Sequence, residues 1–139
     1  MILGIGIDLL LNSRLKKLLE KSPQAFLERV FTVKEIEIYQ NNFSNRKLFS
    51  KQEIGHLAKR FCAKEAFSKA IGTGVGRGIN FNDIEIKNDN LGKPYIEVIN
   101  DKIFFLQNHF DCKKFNIHLT ITDQNSISGA VVIIEKITD

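Results

Sequence analysis

Cysteine is scarce in this chain of 139 residues: only Cys62 and Cys112 occur, in neither a Cys-x-x-Cys pair nor a Cys/His cluster. That argues against a disulfide framework and a zinc site, and for a reducing, cytoplasmic compartment. No apolar run approaches the roughly 18 residues needed to span a membrane. The opening residues 1–8 lack the basic region and apolar length of a signal peptide. There is no internal repeat, no GxxxxGK[ST] and no GxGxxG, so neither a P-loop nor a Rossmann fingerprint is present. Charge of one sign is also in short supply. Twenty Lys and Arg face sixteen Asp and Glu, a formal charge of +4. So small an excess suits an acidic partner, a phosphorylated ligand or nucleic acid without choosing among them.

Hydrophobic residues make up 43% of the chain, enough for one ordinary domain over 1–139. Residues 2–8 read as a strand, with Leu3, Ile5 and Ile7 on one face and Ile2, Gly4, Gly6 and Asp8 on the other. A short helix over 13–21 follows. Leu15, Leu18 and Leu19 form its apolar stripe, and Arg14, Lys16, Lys17 and Lys21 its basic side. Thr32 and Glu35 spell a capping box, with Phe31 and Ile36 placed for a hydrophobic staple, on a helix running to Tyr39. The polar stretch 41–53 reads as a loop. The strongest helical pattern covers 54–71 and ends in a turn rich in glycine: Gly72, Gly74, Gly76 and Gly78. Strands over 83–87 and 95–99 flank a turn at 89–94, a short helix fits 101–110, and strands fit 115–122 and 127–137. This order predicts an α+β fold, a mainly antiparallel sheet packed on a long helix.

The long helix carries the chemistry. Ile54, Leu57, Ala58 and Phe61 set an apolar stripe that, projected forward, lands on Glu65 with Ser68 and Lys69 beside it. A carboxylate in a core position needs a partner or a metal. The bland alternative is an i, i+4 Glu65–Lys69 pair on a helix rolling toward solvent. Asp8 ends its apolar strand on the face that Gly4 and Gly6 keep free of bulk, which admits another backbone or a ligand; taken alone, it reads more simply as a cap on the following turn. Together Asp8 and Glu65 offer oxygen ligands to a hard cation such as magnesium. The glycine turn presents N–H groups to a phosphate or is simply a flexible helix end. Arg60, Lys64, Lys69 and Arg77 flank it, as phosphate ligands or as solvated surface charges.

The segment Arg60-Phe-Cys-Ala-Lys-Glu-Ala-Phe-Ser-Lys-Ala-Ile-Gly-Thr-Gly74 is similar to the signature of a known family, the holo-acyl-carrier-protein synthases among the 4'-phosphopantetheinyl transferases. So are Gly4-Ile-Gly6-Ile-Asp8 followed by Arg14, Phe26-Leu-Glu-Arg-Val-Phe-Thr32 with Glu35, Asn90-Leu-Gly-Lys-Pro-Tyr95, and a final strand ending in Ile-Glu135. The resemblance spans nearly the whole chain; the stretches near 41–53 and 100–113 stand outside it.

The resemblance implies transfer of the phosphopantetheine arm of coenzyme A to a serine of acyl carrier protein, releasing 3',5'-ADP, in support of fatty acid biosynthesis. By the same resemblance Asp8 and Glu65 hold Mg2+, Lys69 contacts the phosphates, and Arg60 holds the ribose 3'-phosphate end. Lys64, Gly72, Gly74, Gly76 and Thr122 line the nucleotide. Arg14, Lys17 and Lys21 receive the acidic carrier, and the assembly is a homotrimer with each cleft at a subunit boundary. The serine proton goes to Glu65 or a metal-bound water. One position departs from the family, which commonly has histidine after its Ser/Thr-Ile-Ser/Thr strand. Here Asp123 follows Thr120-Ile-Thr122, and an ionised carboxylate accepts but cannot donate to a phosphate. A nucleic-acid-binding module and a non-catalytic coenzyme A-binding relative are the competing readings. The first lacks an exposed basic face rich in aromatics; the second is opposed by the presence of Asp8, Glu65 and Lys69 together.

Overall fold

Strand β1 (Ile2–Leu11) leads into helices α1 (Asn12–Lys21), α2 (Pro23–Val30), α3 (Val33–Phe43) and α4 (Lys51–Ile71). A 3-10 turn (Phe81–Asp83) precedes the hairpin β2 (Ile84–Asn88) and β3 (Pro94–Val98), then helix α5 (Ile103–His109) and the long hairpin β4 (Phe115–Gln124) and β5 (Ile127–Lys136). This is a computed structural model, and it describes residues 1–43 and 49–138. Both sheets are antiparallel: β1-β5-β4, and the β2-β3 pair lying beside β4. The predicted α+β architecture is the one observed.

Helix α4 is the core of the molecule, buried on nearly every side through Ile54, Leu57, Ala58, Cys62, Ala63, Ala66, Phe67 and Ala70. Its start lies earlier than the predicted 54. Ser50 Oγ accepts from the Glu53 N–H at 3.1 Å and Glu53 Oε2 from the Ser50 N–H at 3.1 Å, a reciprocal cap hidden in the stretch read as loop. The other end of that stretch is helical too, because α3 continues past Tyr39 to Phe43; residues 44–48 of the expected loop lie outside the described residues. Helix α2 also escaped the sequence reading. Pro23 at its first turn needs no N–H partner there, and Phe26, Leu27 and Val30 are its buried side.

Strand β1 runs to Leu11, three residues past the predicted end. Asp8 therefore sits mid-strand and does not cap the turn that follows. The strand has two different faces. Gly4, Gly6, Asp8 and Leu10 lie toward α4, whereas Ile5, Ile7 and Leu9 are 63%, 58% and 69% exposed. On α1, Leu15 and Leu19 are fully buried, but Leu18 is exposed and sits among the basic residues, contrary to its predicted place in the apolar stripe.

The Thr32–Glu35 cap forms as predicted, with Glu35 Oε1 accepting from the Thr32 N–H at 2.9 Å and Thr32 Oγ1 from the Glu35 N–H at 3.2 Å. Glu35 does more. Its Oε2 accepts from the Ile86 N–H at 3.2 Å, and its Oε1 from Lys64 Nζ at 2.5 Å. One carboxylate thus ties the start of α3 to β2 and to α4.

Candidate active site

The spacing of β1 against α4 decides where Asp8 lies. A strand advances about 6.6 Å in two residues and a helix about 6.0 Å in four, so the two repeats stay in step. Gly4 abuts the Ala70 backbone and Gly6 the Ala66 backbone, close enough that a Cβ on either glycine would overlap it. The next pair in this ladder is Asp8 with Cys62. The close approach that the glycines permit is therefore that of the helix backbone, and it delivers the Asp8 carboxylate to the flank where α4 carries Glu65 and Lys69.

Lys69 Nζ donates to Asp8 Oδ1 at 2.9 Å and to the Ile7 carbonyl at 2.9 Å. The Asp8 side chain is 15% exposed and the Lys69 side chain 53%, so a ligand has access from the lysine side. Burial pushes the Glu65 carboxyl up from its usual range, the Asp8 carboxylate adds to the rise, and Lys69 opposes it. Cys62 lies below this group. Burial, then the Asp8 carboxylate, push its thiol up to about 12, and its Sγ donates to the Ser128 carbonyl at 3.4 Å. Two carboxylates and one ammonium thus converge on a half-buried spot. Among the described residues no group of three or more His, Cys, Asp and Glu gathers anywhere as a metal cage. A pair of carboxylates reached from the exposed lysine side suits magnesium, which takes one or two carboxylates and completes its shell with phosphates and water.

The other expected residues fall into four places. Arg60 faces away from Asp8, toward the β2–β3 hairpin. Its Nη1 donates to the His56 carbonyl at 3.3 Å and its Nη2 to Asn88 Oδ1 at 3.4 Å. It lines a cavity of about 200 Å³ with Lys59, Asn88, Pro94 and Asp123. Gly72, Gly74 and Gly76 have φ of 86°, 76° and 89°, left-handed values that favour glycine, and open space surrounds the position of a Cβ at each. Thr122 is exposed on the outer face of β4, opposite Gly129 of β5. Arg14, Lys17 and Lys21 are exposed along one side of α1 with Leu18 between them.

Lys64 is the exception. It is 0% exposed, and its ammonium donates to Glu35, to the Val30 carbonyl at 2.8 Å and to the Phe81 carbonyl at 3.0 Å. Three donors with three acceptors leave nothing for a nucleotide. The expected ligand residue is a buried tie between α4, the end of α2 and the 3-10 turn. Lys59 was not foreseen as a site residue, although it neighbours Arg60 in the chain and lines the same cavity.

The family model described as the 4'-phosphopantetheinyl transferase superfamily matches residues 4–130. The chain belongs to that superfamily. A holo-[acyl-carrier-protein] synthase from Pelagibacter ubique (strain HTCC1062) is 43% identical over 136 residues, covering 97% of this chain and 98% of its own. Among solved structures of these transferases, the holo-[acyl-carrier-protein] synthase from Neisseria meningitidis superposes with a TM-score of 0.82 at 32% identity, covering 98% of this chain and 100% of that one. The holo-(acyl-carrier-protein) synthase from Bacillus anthracis str. Ames, described in complex with CoA (3',5'-ADP), gives 0.76 at 34% identity and 98% coverage of both chains. As a transferase of this superfamily, the chain has its signature segment on α4, whose two flanks carry the Asp8 cluster and the Arg60 cavity.

Proposed function

We propose that this chain is a holo-acyl-carrier-protein synthase: it transfers the 4'-phosphopantetheine arm of coenzyme A to a serine of apo acyl carrier protein and releases 3',5'-ADP, in support of fatty acid biosynthesis. The observation that carries this reading is the convergence of Asp8, Glu65 and Lys69 on one accessible spot, in a chain similar to transferases of this name throughout its length.

The serine oxygen forms a bond to the β-phosphorus of coenzyme A as the bond from that phosphorus to the 3',5'-ADP oxygen breaks. Such chemistry depends on alignment and on neutralising charge. Asp8 and Glu65 would hold Mg2+, which when bound supplies positive charge to the pyrophosphate. Lys69 leaves Asp8 for the phosphate oxygens. Glu65 or a water held by the metal would take the serine proton. Arg60 and Lys59 take the ribose 3'-phosphate, and Gly72, Gly74, Gly76 and Thr122 border the nucleotide. Arg14, Lys17 and Lys21 meet the acidic carrier, with exposed Leu18 supplying an apolar anchor among them.

Within one chain the Asp8 cluster and the Arg60 cavity lie on opposite flanks of α4, one against β1 and the other against β2, β3 and β4. A homotrimer whose clefts lie at subunit boundaries would join one chain's Asp8 cluster to a neighbour's Arg60 cavity. The exposed row Ile5, Ile7 and Leu9 supports such burial between copies. The free thiols Cys62 and Cys112 accord with a cytoplasmic location.

Intact mass of apo acyl carrier protein after incubation with the chain, coenzyme A and Mg2+ tests the reaction. A gain of one phosphopantetheine arm, abolished by EDTA, is the expected result; no gain beside a working transferase overturns it. Separately, Mg2+ raises the unfolding temperature of wild type and leaves that of Asp8→Asn unmoved if these carboxylates hold the metal.

A further inference from the structure

Two cavities meet at Lys59 and Asp123, which line both of them. The larger, about 630 Å³, also touches Lys16 and Lys51; the smaller, about 200 Å³, touches Arg60. Among the described residues lining either cavity, Asp123 is the only carboxylate, set against the four cations Lys16, Lys51, Lys59 and Arg60. Its Oδ2 lies 3.9 Å from Lys59 Nζ, with the two side chains 54% and 36% exposed. That is too long for a tight hydrogen bond, and a pair this exposed is readily broken. The bonds that Arg60 makes to His56 and Asn88 are long as well. A guanidinium has five N–H donors, and these two neutral partners leave donors free for an anion.

An anion entering the smaller cavity meets Lys59 and Arg60, and it also meets Asp123. The carboxylate draws on Lys59 before the ligand arrives and repels the ligand's charge once it has. We infer that Asp123 is a specificity-determining residue, an internal anion that competes with a ligand's terminal phosphate for Lys59 and Arg60 and so reduces the chain's preference for nucleotides carrying that phosphate. The inference rests on the proposed seating of the ribose 3'-phosphate in the Arg60 cavity. Among the described residues no other carboxylate in the cavity offsets the cations, so one substitution isolates it.

Coenzyme A and dephospho-coenzyme A differ only in the ribose 3'-phosphate, which makes them the matched probes. Calorimetric titration of the assembled full chain with each, at low salt and without carrier, measures the discrimination directly. One unit charge at about 4 Å in water is equivalent to roughly a fivefold change in affinity. Asp123→Asn is expected to tighten coenzyme A about fivefold and to leave dephospho-coenzyme A unchanged. The gain shrinks as salt rises, and Lys59→Met in the Asp123→Asn background removes most of it. Equal tightening of both ligands, or of neither, overturns the inference. Arg60→Met separates that failure from failure of the underlying reading. If Arg60→Met weakens coenzyme A selectively while Asp123→Asn changes nothing, only the role of Asp123 falls. If Arg60→Met weakens neither ligand, the cavity is not the phosphate seat and both fall together.

Discussion

Gly6 is the residue whose smallest enlargement should do the most damage. A Cβ there would stand 2.6 Å from Ala70 N and 2.9 Å from the Ala66 carbonyl carbon, and closer still to the Ala66 oxygen. These are backbone atoms of the central helix, so no rotamer change relieves them. Ordinary contact begins near 3.4 Å, and α4 must retreat from β1 by about 1 Å or more, an overpacking that costs roughly 1–3 kcal/mol and at times more. The same retreat draws Asp8 away from Glu65 and Lys69. A misplacement of about 1 Å at reacting groups costs on the order of 100-fold in rate. Gly6→Ala should therefore lower the unfolding temperature and, assayed well below it, lose about 100-fold in transfer to acyl carrier protein. Gly55→Ala is the matched control. It lies within the same helix with nothing within 4 Å of its Cβ, and alanine there should stabilise by about 0.5–1 kcal/mol. A Gly6→Ala protein with wild-type melting and wild-type transfer would refute the claim that this contact sets the site.

Glu65→Gln should abolish transfer while raising stability in EDTA. The folded-state pKa of Glu65 lies above its ordinary 4.5, so the native state holds the proton more tightly than the unfolded chain does. That contribution is complete below about 4.5 and is lost as pH rises through the raised value. Ionised Glu65 thus strains the fold at neutral pH, and a melting series from pH 4 to 8 should show the variant gaining on wild type as pH rises. Arg14→Glu should raise KM for the carrier severalfold with KM for coenzyme A unchanged, more so at low salt; equal effects on both would signal a folding defect. Lys64→Met strands the buried Glu35 carboxylate, and urea denaturation should register a loss of about 3–5 kcal/mol. Retained stability would mean that Glu35 is satisfied by its N–H donors alone.

Much of the fold was legible because its signals are local. The Thr32–Glu35 cap, the glycine stop after Ile71 and the Asp89–Pro94 turn all act within a few residues. The start of α4 was missed although Ser50 and Glu53 carry the same capping signature as Thr32 and Glu35, with Phe49 and Ile54 at staple spacing around it, because the polar run Lys51-Gln52-Glu53 extends the polar stretch before it and hides the first turn. Glu65 and Asp8 were identifiable as carboxylates in apolar settings, but their meeting was not, since it depends on the match between a two-residue strand step and a four-residue helix step across the Gly4–Gly6 gap. Lys64 shows the opposite failure. From the chain alone a lysine beside Glu65 reads as a surface cation, and only the fold reveals that Glu35, Val30 and Phe81 close around it.

Cys62 lies one layer beneath the carboxylates, and its inertness has a practical meaning. The proposed substrate, coenzyme A, ends in a thiol, a group that forms disulfides. Exchange with such disulfides requires an accessible thiolate. Cys62 is fully buried, and its pKa of about 12 leaves almost no thiolate at neutral pH. The site can therefore handle a thiol-bearing cofactor without becoming covalently attached to it. Oxidant sensitivity observed in a transfer assay would be sought in coenzyme A or at Cys112, the other free thiol, rather than at Cys62.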